Sequence, residues 1–345
     1  MKTTFKRYNN FNLIRLLLAL LVILGHSPEL IDGNRGREWL TQFAGTISIG
    51  EFAVDCFFLL SGFLITQSWD MQPHPWLFLK KRILRIYPAF IVASVISVFI
   101  VGPLAATPAA YFASLDAVVF VRDLLLLRKP AASEVFAGMP YPLVNGAMWT
   151  IAREFACYLL ILGMGVSGLL RRRHVLLAVT GFVFAVLIWF KLHGDTVVGL
   201  RLASFFLSGA CYYHYRDRVP YRGGIAAAAA IVLLVCMFSW RGAEIGLATV
   251  GGYVLLYLAF KHSTLFSRFN RLPDVSYGVY LYGWPIQKLL LWYIPSLTPW
   301  SLFFLAAPAA LLVGTVSWYL IEQPALRLKG APLPILPDHP RHTTP

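Results

Sequence analysis

The chain has 345 residues, 58% of them hydrophobic and only 13% charged, with a formal net charge of +14. Soluble globular domains carry about 25% charged residues, so this balance excludes one and describes a polytopic membrane protein. The basic excess falls in short clusters between apolar runs, never as a stripe, which excludes nucleic acid as the partner.

The first apolar run begins at Phe11 and carries LLLALLVILG between Arg15 and His26. Eleven residues advance a helix by about 16 Å and turn it by roughly 1100°, which is three turns and about 20° more. Arg15 and His26 therefore share one face. With Lys2, Lys6 and Arg7 on the cytoplasmic side, Arg15 lies at that surface and His26 at mid-bilayer or beyond. An ionisable group so deep is costly and belongs in a cavity inside the bundle. The competing readings are a cleavable signal peptide, for which no small-x-small site follows the run, a snorkelling Arg15, and a His26 hydrogen-bonded between helices.

Further apolar runs lie near residues 50–68, 86–105, 148–170, 175–192, 200–215, 223–240, 245–260, 274–294 and 300–321. With the first, they predict an all-α bundle of about ten transmembrane helices. Inner segments then hold Lys80/Lys81/Arg82/Arg85, Arg171/Arg172/Arg173, Arg216/Arg218/Arg222, Lys261/Arg268/Arg271 and Arg327/Lys329. The other side holds most loop acids, including Glu29, Asp32, Glu38 and Asp195, so both termini are expected in the cytoplasm and contact with anionic membrane lipid accounts for much of the charge. The longest outer segment, about 105–147, contains DAVVFVRDLLLL, expected as an amphipathic or re-entrant helix roofing the bundle. Residues 1–326 form the expected membrane domain, and 327–345 a proline-rich, disordered cytoplasmic tail. Cys56, Cys157, Cys211 and Cys236 lie in or beside apolar runs without a CxxC pair, so neither a disulfide framework nor a metal site is expected.

Few polar residues interrupt the spans. Asp55, entering the second span from outside, reaches the depth of His26 and is expected to hold its imidazole tautomer; the alternative is a residue at the start of a helix satisfied by local backbone. Glu154 is a second intramembrane acid facing the cavity, in a catalytic or a structural role. Arg82 and Arg85 are spaced i,i+3 on one helix face, suited to a bidentate phosphate grip or to anchoring on lipid headgroups. A phosphate grip on the cytoplasmic side and a histidine three turns deeper fit a long molecule with anionic groups at one end, and coenzyme A has that shape.

These residues resemble the acyltransferase-3 family of bacterial integral-membrane acyltransferases, from about Asn10 to Arg327. Arg15 and His26 match its arginine, ten residues, histidine motif. AVDCFFLLSGFLI matches its second-span signature through Asp55, Ser61 and Gly62, and KKRILRIYP its paired arginines Arg82 and Arg85. WTIAREFACYL matches at Trp149 and Glu154, SYGVYLYGWPI at Ser276, Tyr277, Tyr280, Trp284 and Pro285, and SWYLIEQPALRL at Ile321, Glu322 and Pro324. Gly283 departs from the pattern, since many members carry histidine before the Trp-Pro pair. The resemblance implies a multi-pass enzyme of the bacterial inner membrane that moves an acyl group, usually acetyl, from cytoplasmic acetyl-CoA to a hydroxyl of a carbohydrate or glycolipid acceptor.

The resulting expectation is that Arg15, Arg82 and Arg85 grip the donor while the pantetheine arm threads toward His26. His26 is expected as general base on the acceptor hydroxyl or as a transient acyl carrier, with Asp55 orienting it and Glu154 as the alternative partner. Trp149, Tyr277, Tyr280 and Trp284 are the candidate acceptor-binding aromatics, Trp149 and Trp284 either stacking on sugar rings at the outer mouth or belonging to a membrane-interface belt. The rival from another class is a carrier, against which the sequence shows no inverted repeat. The acceptor and the oligomeric state are not legible in the sequence.

Overall fold

Apolar runs punctuated by Gly, Pro and basic turns satisfy their backbone groups locally, and in lipid only a helix or a closed barrel does so. The computed structural model describes residues 10–132, 135–195, 197–240, 242–261 and 272–330. The expected basic residues Lys2, Lys6, Arg7, Arg268 and Arg271, and the tail from 331 onward, lie outside the described residues. Among the described residues all ten expected runs are helical and no strand occurs.

Helix α1 (Phe11–Asp32) runs straight through Pro28. Proline supplies no N–H to the Leu24 carbonyl one turn before it, and the adjacent Ile23 carbonyl accepts from Ser27 Oγ and Gln287 Nε2, at 2.9 and 2.8 Å. α2 (Ile49–Met71) starts at a capping box in which Ser48 and Glu51 satisfy each other's amides. α3 (Pro75–Ile96) opens with Pro75 in its first turn and continues through a widened turn at Ser97–Val101 to Leu104. The long segment that follows α3 holds α4 (Ala117–Leu125). α5 (Ile151–Val166), α6 (Arg173–Leu192), α7 (Val198–Tyr215) and α8 (Gly223–Met237) follow. α9 (Gly252–Phe260), α10 (Ser276–Tyr293) and α11 (Pro299–Ser317) complete the bundle.

Seven of these, counted with their short extensions, are long and apolar enough to cross a membrane: α1, α2, α3, α5, α6, α9 and α11. α8 is apolar but 15 residues long, about 22 Å against a hydrocarbon core of about 30 Å. α7 and α10 have 18 residues each, with polar and charged side chains spread along them. The chain is thus a multi-pass membrane protein, with seven of the ten expected spans clear among the described residues.

At the centre, α1 packs against α2, α10 and α11, and α2 packs against α7. Two glycine contacts bring backbones together there. A Cβ on Gly62 of α2 would stand 1.8 Å from the Phe206 carbonyl oxygen, and one on Gly209 of α7 would stand 1.9 Å from that of Leu59. Small residues at such crossings let membrane helices approach closely. Gly209→Ala should therefore force α2 and α7 apart and destabilise the protein by about 3 kcal/mol, the upper end of overpacking costs, since backbone cannot move aside as a side chain does. Thermal unfolding in detergent checks this; an unchanged midpoint would contradict the interlock.

Candidate functional site

The face shared by Arg15 and His26 looks into a row of three adjoining cavities. Beside His26 lies a cavity lined by Glu29, Glu51, Arg201, Trp149 and Tyr280. The middle cavity shares Val54 and Tyr280 with the first. It shares Arg15, Phe57 and Glu154 with the third, which also holds Arg82, Arg85, Asp274 and Lys329. A row of side chains on α1, α2, α5 and α10 thus separates, and lines, one path from the arginines to the histidine.

At the arginine end, the expected trio is assembled but its members differ. Arg15 Nη1 and Arg85 Nη2 both meet Asp274 Oδ2, at 2.6 and 2.8 Å, and Arg85 Nη1 reaches Glu322 at 3.2 Å. Asp274 precedes α10 and is fixed by Ser276 Oγ, which donates to its other oxygen. Glu322 is presented by a widened turn, Trp318–Glu322. Pro324 follows that turn without the N–H that would have bonded the Leu320 carbonyl, and such wide turns recur where a helix aims a functional side chain. Arg82 has no carboxylate within 4 Å among the described residues; it donates to Ser68 Oγ at 3.2 Å and lies over the rings of Phe78 and Tyr158. Arg82 is accordingly the guanidinium available to an incoming anion, while Arg15 and Arg85 are already neutralised.

Lys329 stands at the open end of this cavity, beyond the last span. Burial, together with Arg82, Arg85 and Lys81 nearby, pushes its ammonium down to about 8. An anion seated here is held by that ammonium only while it is protonated. Affinity for a polyphosphate ligand should thus be full well below pH 8 and fall as pH rises through that value, by about tenfold for one lost charge-assisted bond. Titrating acetyl-CoA binding from pH 6.5 to 9.5 checks this, and Lys329→Ala should flatten the profile at its weak level.

The histidine end corrects the expected pairing. His26 Nδ1 lies 3.4 Å from Glu29 Oε2, one turn on along α1, and Arg35 Nε holds the other Glu29 oxygen at 2.7 Å. Asp55 is fully buried and instead faces Arg201 Nε at 3.6 Å, with Arg201 also paired to Glu51 at 3.3 Å. Asp55 meets Arg201 across the contact between α2 and α7. Glu154, the expected alternative partner, lies in the arginine cavity and accepts from Ser61 Oγ and the Tyr158 hydroxyl. The imidazole is bracketed by Trp284, whose ring meets it edge-on with centroids 4.9 Å apart.

Of the four expected acceptor aromatics, only Trp149 stands at a cavity mouth; it is half-buried and lines both the His26 cavity and a larger open space beside α4. Trp284 is buried and donates its indole N–H to the Leu143 carbonyl at 3.4 Å, so a stacking role at the mouth is replaced by packing against His26. Tyr277 and Tyr280 are buried too: Tyr277 donates to the Ile86 carbonyl at 3.1 Å, and the Tyr280 hydroxyl bonds Thr150 at 2.7 Å while its ring walls the cavities. Gly283 has a steric reason. A Cβ there would stand 2.8 Å from Ile23 Cγ1, so the space that a larger side chain would need is filled by Ile23.

The sequence reading missed Glu29, Asp274 and Arg201 as members of these clusters. His26 and Glu29 are spaced i,i+3, a visible signal that two helical side chains meet. No comparable local signal marks Asp274 or Arg201.

The acyltransferase domain family model matches residues 8–319. Among curated proteins, the chain is 25% identical over 328 residues to an O-acetyl transferase of Shigella phage Sf6, covering 91% of this chain and 95% of that protein. It is 24% identical over 365 residues to Nodulation protein 10 of Rhizobium leguminosarum bv. viciae, covering 93% and 94% respectively. No solved structure matches the chain.

Proposed function

This chain belongs to the acyltransferase domain family, and from that premise we propose that it is a membrane O-acyltransferase, moving acetyl from cytoplasmic acetyl-CoA to a hydroxyl of an extracytoplasmic or lipid-linked carbohydrate. The observation that carries the reading is the row of cavities, with guanidinium groups at one end and a carboxylate-held imidazole at the other. The printed activity of the phage Sf6 relative, O-acetyl transfer, supports acetyl as the group moved. Arg82, with Arg15, Arg85 and Lys329, takes the phosphates of the donor; the cavities pass its thioester toward His26. Both chain termini and the arginine end lie in the cytoplasm on this reading, the side favoured by the clustered Lys and Arg, and the remaining helices α7, α8 and α10 complete ten membrane segments of an inner-membrane protein.

With Nδ1 turned to Glu29, His26 offers Nε2 to the cavity. His26 Nε2 takes the proton of the acceptor hydroxyl as that oxygen bonds to the thioester carbonyl carbon, and gives it to the sulfur as the C–S bond breaks. No proton is gained or lost overall. Tyr280 and Trp284 keep the ring in place, and apolar walls at Val54 and Phe57 limit water that would otherwise hydrolyse the donor.

Sealed membrane vesicles test the arrangement. Acetyl-CoA labelled in its acetyl group does not cross a bilayer, so inverted vesicles should pass label to the glycan fraction and right-side-out vesicles should not. Transfer from right-side-out vesicles alone would reverse the orientation.

A further inference from the structure

When the acceptor oxygen bonds to the thioester carbon, the electron pair of the C=O bond moves onto the carbonyl oxygen. Donors already aimed at that oxygen are usually the largest single contribution to such a step. His26 carries the proton, so the oxyanion needs a donor of its own. The three carboxylates lining the cavity beside His26 are all engaged. Glu29 is held between His26 and Arg35. Glu38 caps the short helix Trp39–Ala44, accepting from the amides of Leu40 and Thr41 at 3.1 and 3.0 Å, and Glu51 is shared by Ser48 and Arg201.

Most donors in this lining are spent as well. The Ser48 hydroxyl gives to Glu51, the Tyr280 hydroxyl gives to the Ala147 carbonyl at 2.5 Å, and Trp149 is a neutral donor at the mouth. Two guanidinium groups remain. Arg35 is 58% exposed, and its Nε is taken by Glu29. Arg201 is only 11% exposed, with Nη1 toward Glu51 and Nε toward Asp55, while its Nη2 donates no hydrogen bond among the described residues.

The backbone brings this group to the histidine. α1 and α2 touch where a Cβ on Gly25 would stand 2.6 Å from the Gly50 amide nitrogen. The next residues along the two helices are His26 and Glu51, so imidazole and carboxylate open on the same cavity from adjoining turns. Glu51, 3.3 Å from Nη1, fixes one edge of the guanidinium. Asp55 lies 3.6 Å from Nε, and neither of its oxygens accepts a hydrogen bond among the described residues, so it balances the charge without setting the angle. A buried guanidinium held in this way need not reorganise when negative charge appears, and it attracts that charge more strongly than it would in bulk water.

We infer that Arg201 is a catalytic residue whose Nη2 donates to the thioester carbonyl oxygen as negative charge gathers there. The acceptor oxygen bonds to the carbonyl carbon, His26 takes its proton, and the oxyanion rests on Arg201. The C=O bond then re-forms, the C–S bond breaks, and the proton passes from His26 to the sulfur. The inference rests on the acyl-transfer reading and adds to it the group that takes the charge.

The test follows label from acetyl-CoA into the glycan fraction of inverted vesicles as the donor concentration is varied. Arg201→Gln should lower the saturating rate by about 10²–10³, the usual loss for one oxyanion donor, with the donor concentration for half-maximal rate unchanged. Because that variant strips two carboxylates of their cation, Arg201→Gln/Asp55→Asn is measured beside Asp55→Asn, and should be slower than it by the same factor. In detergent, a trifluoromethyl ketone analogue of acetyl-CoA, whose hydrate carries a tetrahedral carbon, should bind on the order of a hundredfold more tightly than coenzyme A. The double variant should lose that margin and keep its coenzyme A affinity. Equal rates in the double variant and Asp55→Asn, a raised donor requirement with the saturating rate intact, or an analogue affinity independent of Arg201 would each overturn the assignment. If wild-type vesicles bind coenzyme A but transfer no acetyl, the acyl-transfer reading itself fails; if they transfer and the double variant matches Asp55→Asn, only the role of Arg201 falls.

Discussion

His26→Ala should fold, insert and bind acetyl-CoA, and transfer acetyl at a rate lower by about 10²–10⁴, the usual contribution of a general base. The structure sharpens this expectation by assigning the partner. Glu29→Gln removes the carboxylate 3.4 Å from the imidazole and should cost about tenfold in transfer rate without affecting donor affinity. Asp55→Asn should leave the rate nearly intact and lower stability, because Asp55 faces Arg201 and not His26. If His26 carries the acetyl group itself, rapid quenching with labelled donor and no acceptor traps label on the protein, and His26→Ala abolishes it. Wild-type rates in a folded His26→Ala protein would end the catalytic reading, and a rate loss in Asp55→Asn larger than in Glu29→Gln would restore the pairing read from the sequence.

Arg85→Ala should be the most damaging change to stability. Its guanidinium stands between Asp274 and Glu322, and removing one member of a buried charge cluster leaves its partners uncompensated, at about 3–5 kcal/mol. Arg85→Lys should recover part of this, since one ammonium keeps the charge but lacks the fork that reaches two carboxylates at once. Arg82→Ala should separate from both. Having no carboxylate partner among the described residues, it should lose about 1.5–3 kcal/mol of donor affinity with little change in unfolding temperature. Thermal unfolding and acetyl-CoA titration on the same three variants check the contrast; equal stability losses in Arg82→Ala and Arg85→Ala would refute it.

What was legible in the sequence follows from how local each signal is. The common face of Arg15 and His26 depends only on helix geometry, and both line the same row of cavities. The paired arginines were readable for the same reason. Glu29 was counted among the outer loop acids; instead the helix runs through Pro28 to Asp32 and carries Glu29 one turn past His26. Asp274 lies 259 residues from Arg15, and Arg201 stands on α7 opposite Asp55 of α2. Such pairs are set by which helices pack together, for which a single sequence carries no local mark. Seven of the ten expected spans are clear among the described residues, and α7, α8 and α10 lie at the margin of the length and polarity that a bilayer accepts.

The joints between the cavities also bear on electrical leakage. A continuous water column from Lys329 past His26 to the opposite membrane surface would let ions run down the membrane potential, which drives each elementary charge with about 2.3 kcal/mol per 100 mV. The joints are lined by Val54 and Tyr280 on one side and by Arg15, Phe57 and Glu154 on the other, and Arg15 and Arg85 are clamped by Asp274 and Glu322. Fixed charges of opposite sign cannot migrate, and a neck narrowed by Val54 and Phe57 wets less easily than an open pore. A slender acyl arm can part those side chains and fill the neck it opens, so the protein can hold a route for a chemical group across most of the bilayer while remaining an insulator.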